Sequence, residues 1–268
     1  MELREFLFAP LAGRRFAFVL AAREKGIFSG ADLLLQTARE LQLTVEWAAA
    51  EGASLLPGSA VLRAAGTAEQ VARAEETLPG LIGKPSGVAT AAAAFKECGK
   101  GRIKIVCGAW KKVAPAVRPD LRRAIATGGA GMRITDEPFI YLDKNYVRMF
   151  GGVGAAVKRA AEYERGRLIV VQLRGEMKPL ADEAREAVAA GAAIIMIDTG
   201  RIGDLHVAAG LRAGGGWPER VRIAYAGGVT LDRLPEVVAA GADIVDVGRA
   251  IIDAPLLDFA LDVVSEEA

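Results

Sequence analysis

Basic side chains follow the predicted strands in the second half of the chain, at the points where those strands end. Cations that converge on the carboxyl edge of a parallel sheet suit a ligand with several negative charges. Solvated lysines and arginines are also common in loops, so each of these residues alone is weak evidence. Taken together they predict a substrate-binding mouth formed by Lys111, Lys112, Arg118, Arg133 and Lys144.

The stretch from Arg222 to Arg249 adds a candidate phosphate site. It is predicted to form a strand, a Gly-Gly turn, a helix and a second strand that ends before a further glycine. Glycines after strands leave backbone N–H groups exposed, where they can hold phosphate oxygens. Turns of this kind also need glycine for backbone reasons alone, which is the simpler interpretation. We assign phosphate binding to Gly227, Gly228, Gly248 and Arg249.

Asp198, which closes the predicted strand over 193–197, is the acid best placed to bind a metal ion at this edge. With Lys112 and Lys144 it forms the predicted catalytic set, which contains no histidine. The sole histidine, His206, lies in a predicted helix and is expected to be a partly exposed helix position. Ser-His-Asp chemistry and histidine-rich metal sites are therefore not supported.

Composition places the chain among ordinary globular proteins. Its 268 residues are 52% hydrophobic and 25% charged, with a formal net charge of +1, so nothing suggests nucleic acid or a membrane as a partner. Cys98 and Cys107 form no CxxC, so neither a disulfide framework nor a zinc site is predicted. The first residues make a poor signal peptide and no apolar run has membrane-spanning length, so we expect a soluble, cytoplasmic protein.

The predicted elements change character near residue 95. Residues 1–95 are expected to form an α/β sandwich domain, and prolines at 79 and 85 are expected to interrupt its last helical region. A C-terminal helix over 255–268 is a candidate to pack back on this domain. The elements expected in the domain are strands at 16–21, 43–48 and 61–63 and helices at 31–41, 67–78 and 87–97.

Strands and helices alternate over the second domain, residues 96–254. The strands are apolar on both faces, which predicts a parallel sheet covered by helices. Two similar units, Glu186–Asp198 and Glu236–Gly248, each give a helix, a glycine stop and a strand, as repeated barrel units do. No GxGxxG opens the first unit, so an incomplete parallel α/β barrel is favoured over a doubly wound sheet. Strands are expected at 103–107, 139–142, 168–173, 193–197, 223–226 and 244–247.

From Phe18 to its end the chain resembles the quinolinate phosphoribosyltransferases, also named carboxylating nicotinate-nucleotide pyrophosphorylases. SGVAT at 86–90 matches that family outright. WKKVAPAVR at 110–118 stands where the family has TRKTTPGLR and keeps the second lysine, the proline and the arginine. Further matches are Gly128-Gly129 at the triple-glycine turn, Lys144 at the lysine of IKDNH, Asp198 at the aspartate of LLDN, and AGGV and DIVDVG at the phosphate-binding end.

The resemblance implies an N-terminal α/β sandwich, an incomplete barrel, and a homodimer or higher homo-oligomer in which the partner chain completes each site. It implies Mg2+-dependent transfer of phosphoribosyl from phosphoribosyl pyrophosphate (PRPP) to quinolinate, a step of NAD biosynthesis that releases pyrophosphate and CO2. By position, Asp198 would bind the metal ion, the glycines the 5′-phosphate, and the lysines and Arg133 the ring carboxylates.

The chain departs from the family pattern where acids and arginines are expected. Lys111 replaces an arginine and loses bidentate carboxylate geometry, and Glu76 replaces an arginine donated across the dimer. Val170-Val171-Gln172 stands at the paired acids of the EVE strand, and Ala224 at the acid of EASGG. The claim on Mg2+ is therefore weak, and the acceptor is expected to be a small anionic aromatic or heteroaromatic acid, not necessarily quinolinate.

Three functions remain open. The first is a phosphoribosyltransferase of this family with an altered acceptor, which needs positioning and charge stabilisation more than acid–base chemistry. The second is a paralogue that has lost transfer and binds a phosphorylated ligand as a sensor or partner protein, since Asp143 or Asp246 would have to replace the missing acids. The third is a phosphate-barrel isomerase or lyase in which Lys112 or Lys144 is a base or Schiff-base nucleophile.

Overall fold

The structure is a computed structural model that describes residues 3–164, 166–218 and 220–267. Its helices are α1 (Leu3–Phe8), α2 (Ala31–Glu40), α3 (Ala68–Gly99), α4 (Arg118–Thr127), α5 (Lys144–Met149), α6 (Val153–Ala161), α7 (Leu180–Ala189), α8 (Ile202–Leu211), α9 (Leu234–Ala239) and α10 (Arg249–Ile252). Its strands are β1 (Arg15–Ala22), β2 (Gly26–Ile27), β3 (Thr44–Ala48), β4 (Ser54–Leu55), β5 (Ala60–Thr67), β6 (Lys104–Val106), β7 (Phe139–Leu142), β8 (Leu168–Leu173), β9 (Ile194–Asp198), β10 (Arg222–Ala226), β11 (Ile244–Asp246) and β12 (Phe259–Glu267).

The chain divides into two compact units. The first comprises Met1–Ala93, Val113–Gly129 and Asp253–Ala268, and the second comprises Ala94–Lys112 and Ala130–Ile252. The segment 113–129, which the sequence pattern grouped with the barrel, therefore belongs to the first unit. A close approach explains this difference: a Cβ at Gly128, which ends α4, would lie 2.3 Å from the carbonyl oxygen of Ala89 in α3. Only glycine lets the two helices meet so closely.

The first unit is built on a four-stranded antiparallel sheet in the order β12-β1-β5-β3. Alternate residues of β1, among them Phe18 and Leu20, point into a core that α2 and α3 complete with Leu34 and Leu78, all at most 1% exposed. One face of the sheet is therefore covered by helices, as the predicted α/β sandwich requires.

The prediction of a C-terminal helix over 255–268 is wrong, because this segment contains β12. The strand pairs antiparallel with β1, from Ala22 opposite Phe259 to Arg15 opposite Glu267. Phe259 and Leu261 are buried with a half-exposed residue between them, the period of two that a strand shows. Pairing with β1 outweighs the local helical spacing, so the C-terminus packs on the first unit as an edge strand rather than as a helix.

The predicted interruption at prolines 79 and 85 is also wrong, because α3 runs through both. A proline inside a helix costs about 3 kcal/mol. The same stretch buries Leu78, Ile82 and Val88 completely, and complete burial of a large aliphatic side chain gains roughly 1.5–3 kcal/mol. In addition, Leu257 donates its backbone N–H to the carbonyl oxygen of Gly83 at 3.0 Å. Packing that the local sequence does not reveal therefore holds the helix together.

The second unit contains a six-stranded parallel sheet in the order β6-β11-β10-β9-β8-β7. Its concave side is filled by apolar residues that include Val170, Ile194, Ala224 and Ile244. Within the described residues the edge strands β6 and β7 do not pair, so the sheet is an open barrel, as predicted. Both predicted repeat units are present: a helix ends before a glycine of positive φ, Gly191 or Gly241, and a strand follows.

The register of the sheet determines which side chains share its carboxyl edge. Val106, Asp246, Ala226 and Asp198 are paired in one row across β6, β11, β10 and β9. Paired residues on neighbouring strands direct their side chains to the same face. The two aspartates therefore face the same side at the end of the barrel, separated only by Ala226.

Candidate functional site

The two aspartates of this row lie beside a partly buried tyrosine. Burial and the carboxylates of Asp198 and Asp246 raise the pKa of the Tyr141 hydroxyl well above its ordinary value. Asp246 accepts a hydrogen bond from the backbone N–H of Gly108 at 2.9 Å, which ties the loop after β6 to the end of β11. Burial raises the pKa of Asp246, and the charges of Lys111 and Lys112 partly offset that rise. The predicted lysines of this loop therefore act on the same carboxylate.

Three of the predicted cations lie in this region. The Nζ of Lys111 is 5.6 Å from the centroid of the Tyr141 ring, within the range of a cation–π interaction. Lys112 follows it in the same exposed 3-10 turn. Lys144 is the first residue of α5, whose N-terminus is capped by Asp143. Lysines from the loops after β6 and β7 therefore flank the aspartates, as the sequence predicts.

Gln172 connects Asp198 to α5. Its side chain is only 9% exposed and lies at the end of β8. Its Oε1 accepts the backbone N–H of Lys144 at 2.8 Å, and its Nε2 donates to Oδ2 of Asp198. The Gln172 amide thus provides a hydrogen-bond donor for one oxygen of Asp198 and also holds the first residue of α5 in place.

Arg174, two residues later, adds a cation that sequence reasoning missed. Its Nη1 lies 3.9 Å from Oδ2 of Asp198, and its Nε lies 3.0 Å from Oε1 of Glu176. Arg148 of α5 also donates a hydrogen bond to Glu176, and this bond is the main reason that the pKa of the Glu176 carboxyl is lowered. A signal was present in the sequence: Arg174 follows the predicted strand 168–173 directly, as the other cations follow theirs. Sequence reasoning weighed the acid lost at 172 but did not consider the cation at 174.

A buried carboxylate fixes the loop that carries Arg174. Glu183 of α7 is 3% exposed. It accepts backbone N–H groups from Arg174 at 3.3 Å, Gly175 at 2.8 Å and Met177 at 3.2 Å. Buried polar groups need such partners, so Glu183 and the loop stabilise each other. The loop is therefore held in place without a ligand.

Two predicted substrate-binding arginines have other surroundings. The Arg133 guanidinium lies 5.8 Å from the Phe139 ring centroid and near Asp136, whose carboxylate binds Nζ of Lys104 at 2.9 Å. Lys104 and Phe139 are the first residues of β6 and β7, so Arg133 lies at the opposite end of the sheet from Asp198. Arg118 belongs to the first unit, where its Nε donates to the carbonyl oxygen of Val113 at 3.0 Å.

Other residues singled out from the sequence have plain structural settings. Glu76, at the position of a family arginine, forms an exposed ion pair with Arg4 in the first unit. His206 is exposed on α8, as predicted. Cys98 and Cys107 are free thiols, and burial raises the pKa of Cys107 to about 11. Among the described residues, no helix combines the length and apolar character needed to span a membrane.

The Gly227-Gly228 turn packs against a third glycine that the sequence did not single out. Gly227, Gly228 and Gly200 have φ of +110°, +70° and +71°. A Cβ at Gly227 would lie 2.4 Å from the backbone nitrogen of Gly200, and a Cβ at Gly200 would lie 2.6 Å from the carbonyl oxygen of Gly227. A Cβ at Gly228 would meet nothing within 4 Å. The turn is thus packed on its inner side and open on its outer side, where a phosphate could lie.

The two remaining phosphate candidates follow the neighbouring strand. Gly248 comes after β11, and Arg249 begins α10, which has four residues. A Cβ at Gly248 would make only an ordinary 3.7 Å contact with Ala109, so glycine is not required there by packing. These residues continue the carboxyl edge from β10 to β11.

The acids at this edge fit a magnesium ion poorly. Asp198 accepts an amide N–H and faces a guanidinium, Asp246 accepts a backbone N–H, and Asp143 caps a helix. Among the described residues, no group of three His, Cys, Asp or Glu side chains is placed to hold a metal ion. Two like unit charges about 4 Å apart repel by roughly 4 kcal/mol near a protein surface. The Arg174 guanidinium, whose Nη1 lies 3.9 Å from Oδ2 of Asp198, would therefore oppose a divalent ion on that carboxylate.

Known proteins resemble the chain along nearly its whole length. Residues 88–262 match the quinolinate phosphoribosyl transferase C-terminal domain, and residues 6–86 match the corresponding N-terminal domain. The carboxylating nicotinate-nucleotide pyrophosphorylase of Homo sapiens is 30% identical over 252 residues, which cover 92% of this chain and 82% of that protein. The crystal structure of nicotinate-nucleotide pyrophosphorylase from Pyrococcus furiosus has a TM-score of 0.84 at 22% identity, covers 98% of this chain and 73% of its own, and supports the fold alone.

Proposed function

This chain belongs to the quinolinate phosphoribosyltransferase family, and on that premise we propose that it transfers a phosphoribosyl group from PRPP to a small anionic aromatic or heteroaromatic acid. The proposal rests on one observation above all: Asp198 and Asp246 share one row at the carboxyl edge, beside the open glycine turn and between lysines of two loops. Anion-binding groups and a carboxylate at one barrel mouth are what such a transfer needs.

Transfer requires the bond between ribose C1 and the pyrophosphate oxygen to break while the acceptor nitrogen attacks C1. Positive charge develops on the ribose during this step, and a fixed carboxylate such as Asp198 stabilises it. Backbone N–H groups at Gly228 and Gly248 would hold the 5′-phosphate, with Arg249 beside them. Lys112 and Lys144 would neutralise the anionic groups of donor and acceptor and hold them in contact. No step needs a histidine.

The acceptor is proposed to be an acid other than quinolinate. Lys111 offers a point charge where a bidentate arginine would grip a ring carboxylate. Arg133 lies at the amino ends of the strands and is left out of the proposed site. The Tyr141 ring beside Lys111 provides an aromatic surface next to the cations. An aromatic acid with a single carboxylate suits this arrangement better than a dicarboxylate.

Pyrophosphate release and ligand binding test the proposal together. The wild-type protein, with PRPP and a panel of nicotinate, quinolinate and aminobenzoate derivatives, should release pyrophosphate with one of these acids and prefer it to quinolinate. Lys112→Ala and Lys144→Ala should each abolish the thermal stabilisation that PRPP gives, whereas Lys158→Ala, on the exposed face of α6, should not. Unchanged stabilisation in both site variants would remove these lysines from the proposed function.

A second candidate function is favoured by Gln172, which places an amide at the position of a family acid and donates to Asp198. A chain with this substitution could bind a phosphorylated ligand as a sensor without turnover. Tight binding of ribose 5-phosphate or PRPP, with no pyrophosphate release for any acid of the panel, would favour the sensor. We also propose a homodimer or higher homo-oligomer, which size-exclusion chromatography with light scattering would test.

A further inference from the structure

The guanidinium of Arg174 lies close to Asp198 at the carboxyl edge of the sheet. Its Nη1 is 3.9 Å from Oδ2 of Asp198, a distance that leaves room for a ligand oxygen to compete. Its Nε is held by Glu176 at 3.0 Å, and its side chain remains 36% exposed. A guanidinium that is anchored on one side and open on the other is arranged to bind an oxyanion.

The anchoring of Arg174 is extensive for an exposed side chain. Glu183 fixes the backbone of its loop through three N–H groups, and Arg148 holds Glu176 from the opposite side. A cation fixed before its ligand arrives loses little conformational entropy on binding. These contacts therefore describe a preorganised anion site rather than a solvated surface arginine.

The strand order relates this site to the two ends of the proposed donor. PRPP carries a phosphate on ribose C5 and a diphosphate on C1. The glycine turns follow β10 and β11, whereas Arg174 and Lys144 follow β8 and β7, and they line one small cavity with Gln172. Asp198 ends β9, between the two groups. A donor with its 5′-phosphate at the glycines and its ribose at Asp198 thus directs its diphosphate toward β8 and β7.

We propose that Arg174, together with Lys144, binds the diphosphate group of PRPP, and that this binding does not depend on a divalent cation. The inference rests on the proposed transferase function and adds to it the group that replaces the metal ion. It also accounts for Gln172, because a single carboxylate balanced by one guanidinium needs no second acid. The chemical class recognised is a diphosphate ester or free pyrophosphate, not the carboxylate of the acceptor.

Isothermal titration calorimetry on the full-length chain tests this inference with three ligands: PRPP, inorganic pyrophosphate and ribose 5-phosphate. Each is titrated once with EDTA and once with Mg2+. PRPP and pyrophosphate should bind in EDTA with dissociation constants close to those in Mg2+. Arg174→Gln should weaken both by roughly 10- to 100-fold, as expected for losing a charge-assisted hydrogen bond. Ribose 5-phosphate lacks the diphosphate, so its affinity should not change in this variant.

Arg159→Gln is the matched control, because Arg159 lies on α6 in an exposed ion pair with Glu162 and should leave all three affinities unchanged. Mg2+-dependent binding of PRPP that Arg174→Gln does not weaken would overturn this inference and leave the proposed function intact. Failure of PRPP to bind under either condition would overturn both. If Arg174→Gln weakened the binding of ribose 5-phosphate, or weakened the binding of a pyridine carboxylate but not of pyrophosphate, Arg174 would not be the residue that binds the diphosphate.

Discussion

Gly227 and Gly228 are adjacent, and the structure predicts that they tolerate a methyl group very differently. Gly228→Ala adds a Cβ that meets nothing within 4 Å, so its cost is the left-handed backbone alone, at φ +70°. That strain is about 1–2 kcal/mol. Gly227→Ala carries comparable strain at φ +110° and also places its Cβ 2.4 Å from the nitrogen and 2.6 Å from the Cα of Gly200. Backbone atoms cannot move aside cheaply, so overpacking adds about 1–3 kcal/mol.

Urea unfolding of variants made in a Trp47→Phe background measures this difference, because the remaining tryptophans, Trp110 and Trp217, are both in the second unit. Gly227→Ala should lower the unfolding free energy of that unit by about 3 kcal/mol or more, and Gly228→Ala by about 1 kcal/mol. The affinity for inorganic phosphate should show the opposite order: Gly228→Ala should weaken phosphate binding more than Gly227→Ala does. The methyl group at Gly228 would occupy the open side of the turn, so its affinity for phosphate should fall even though its stability changes little.

A double substitution separates the contact from general strain. Gly200→Ala places its Cβ 2.6 Å from the carbonyl oxygen of Gly227, so both single variants disrupt the same backbone contact. Once that contact is broken, the second substitution should cost less than it does alone, and the two effects should be clearly less than additive. Equal losses for Gly227→Ala and Gly228→Ala, or strict additivity with Gly200→Ala, would refute the packing of these two loops.

Three further predictions concern stability. Burial alone raises the pKa of Glu51, but hydrogen bonds from two hydroxyls and two backbone N–H groups lower it below its ordinary 4.5. Glu51→Gln should therefore lower the unfolding free energy by about 1 kcal/mol at pH 7. Urea unfolding across pH should also show that the wild type loses stability as pH falls below about 4.5, whereas the variant loses less. Glu183→Ala leaves three backbone N–H groups without their acceptor and should lower the unfolding free energy by roughly 2–3 kcal/mol, with Glu183→Gln milder. Gly87→Ala should lower the thermal midpoint sharply, because its Cβ would lie 1.9 Å from the carbonyl oxygen of Pro255. Gly80→Ala in the same helix adds a Cβ that meets nothing within 4 Å, so the better helix propensity of alanine should raise the midpoint slightly.

Elements whose limits are set by their own residues were predictable from the sequence. The strands β7 and β8 begin and end at the predicted residues, because each is an apolar run bounded by polar or breaking residues. The helix α3 and the strand β12 were not, because their partners are distant in sequence. Leu257 meets Gly83, and Phe259 pairs with Ala22, across separations that no local window contains. In both cases tertiary contacts outweigh a correct local preference.

The residues of the candidate site also fall into those that local sequence predicts and those that depend on distant contacts. Asp198 and the lysines at 111, 112 and 144 could be placed because a residue that follows a parallel strand must lie at the carboxyl edge. Arg133 could not, because the chain bridges β6 only at Gly131 before it continues to the amino end of β7. Gly200 shows a further limit, since its role is a backbone contact with another turn and glycine spacing alone does not reveal which turns meet.

Gln172, which stands at the position of a family acid, and Arg174 are best considered together. Two carboxylates and a divalent ion form a neutral set, and so do one carboxylate and one guanidinium. Removing the acid at 172 alone would leave a divalent ion undercompensated, and adding a cation at 174 alone would repel such an ion from Asp198 by several kcal/mol. Gln172 donates to Asp198, and Arg174 offsets the charge of that carboxylate while its own side chain stays partly exposed. Under the proposed function, this charge balance is our explanation for the missing acid.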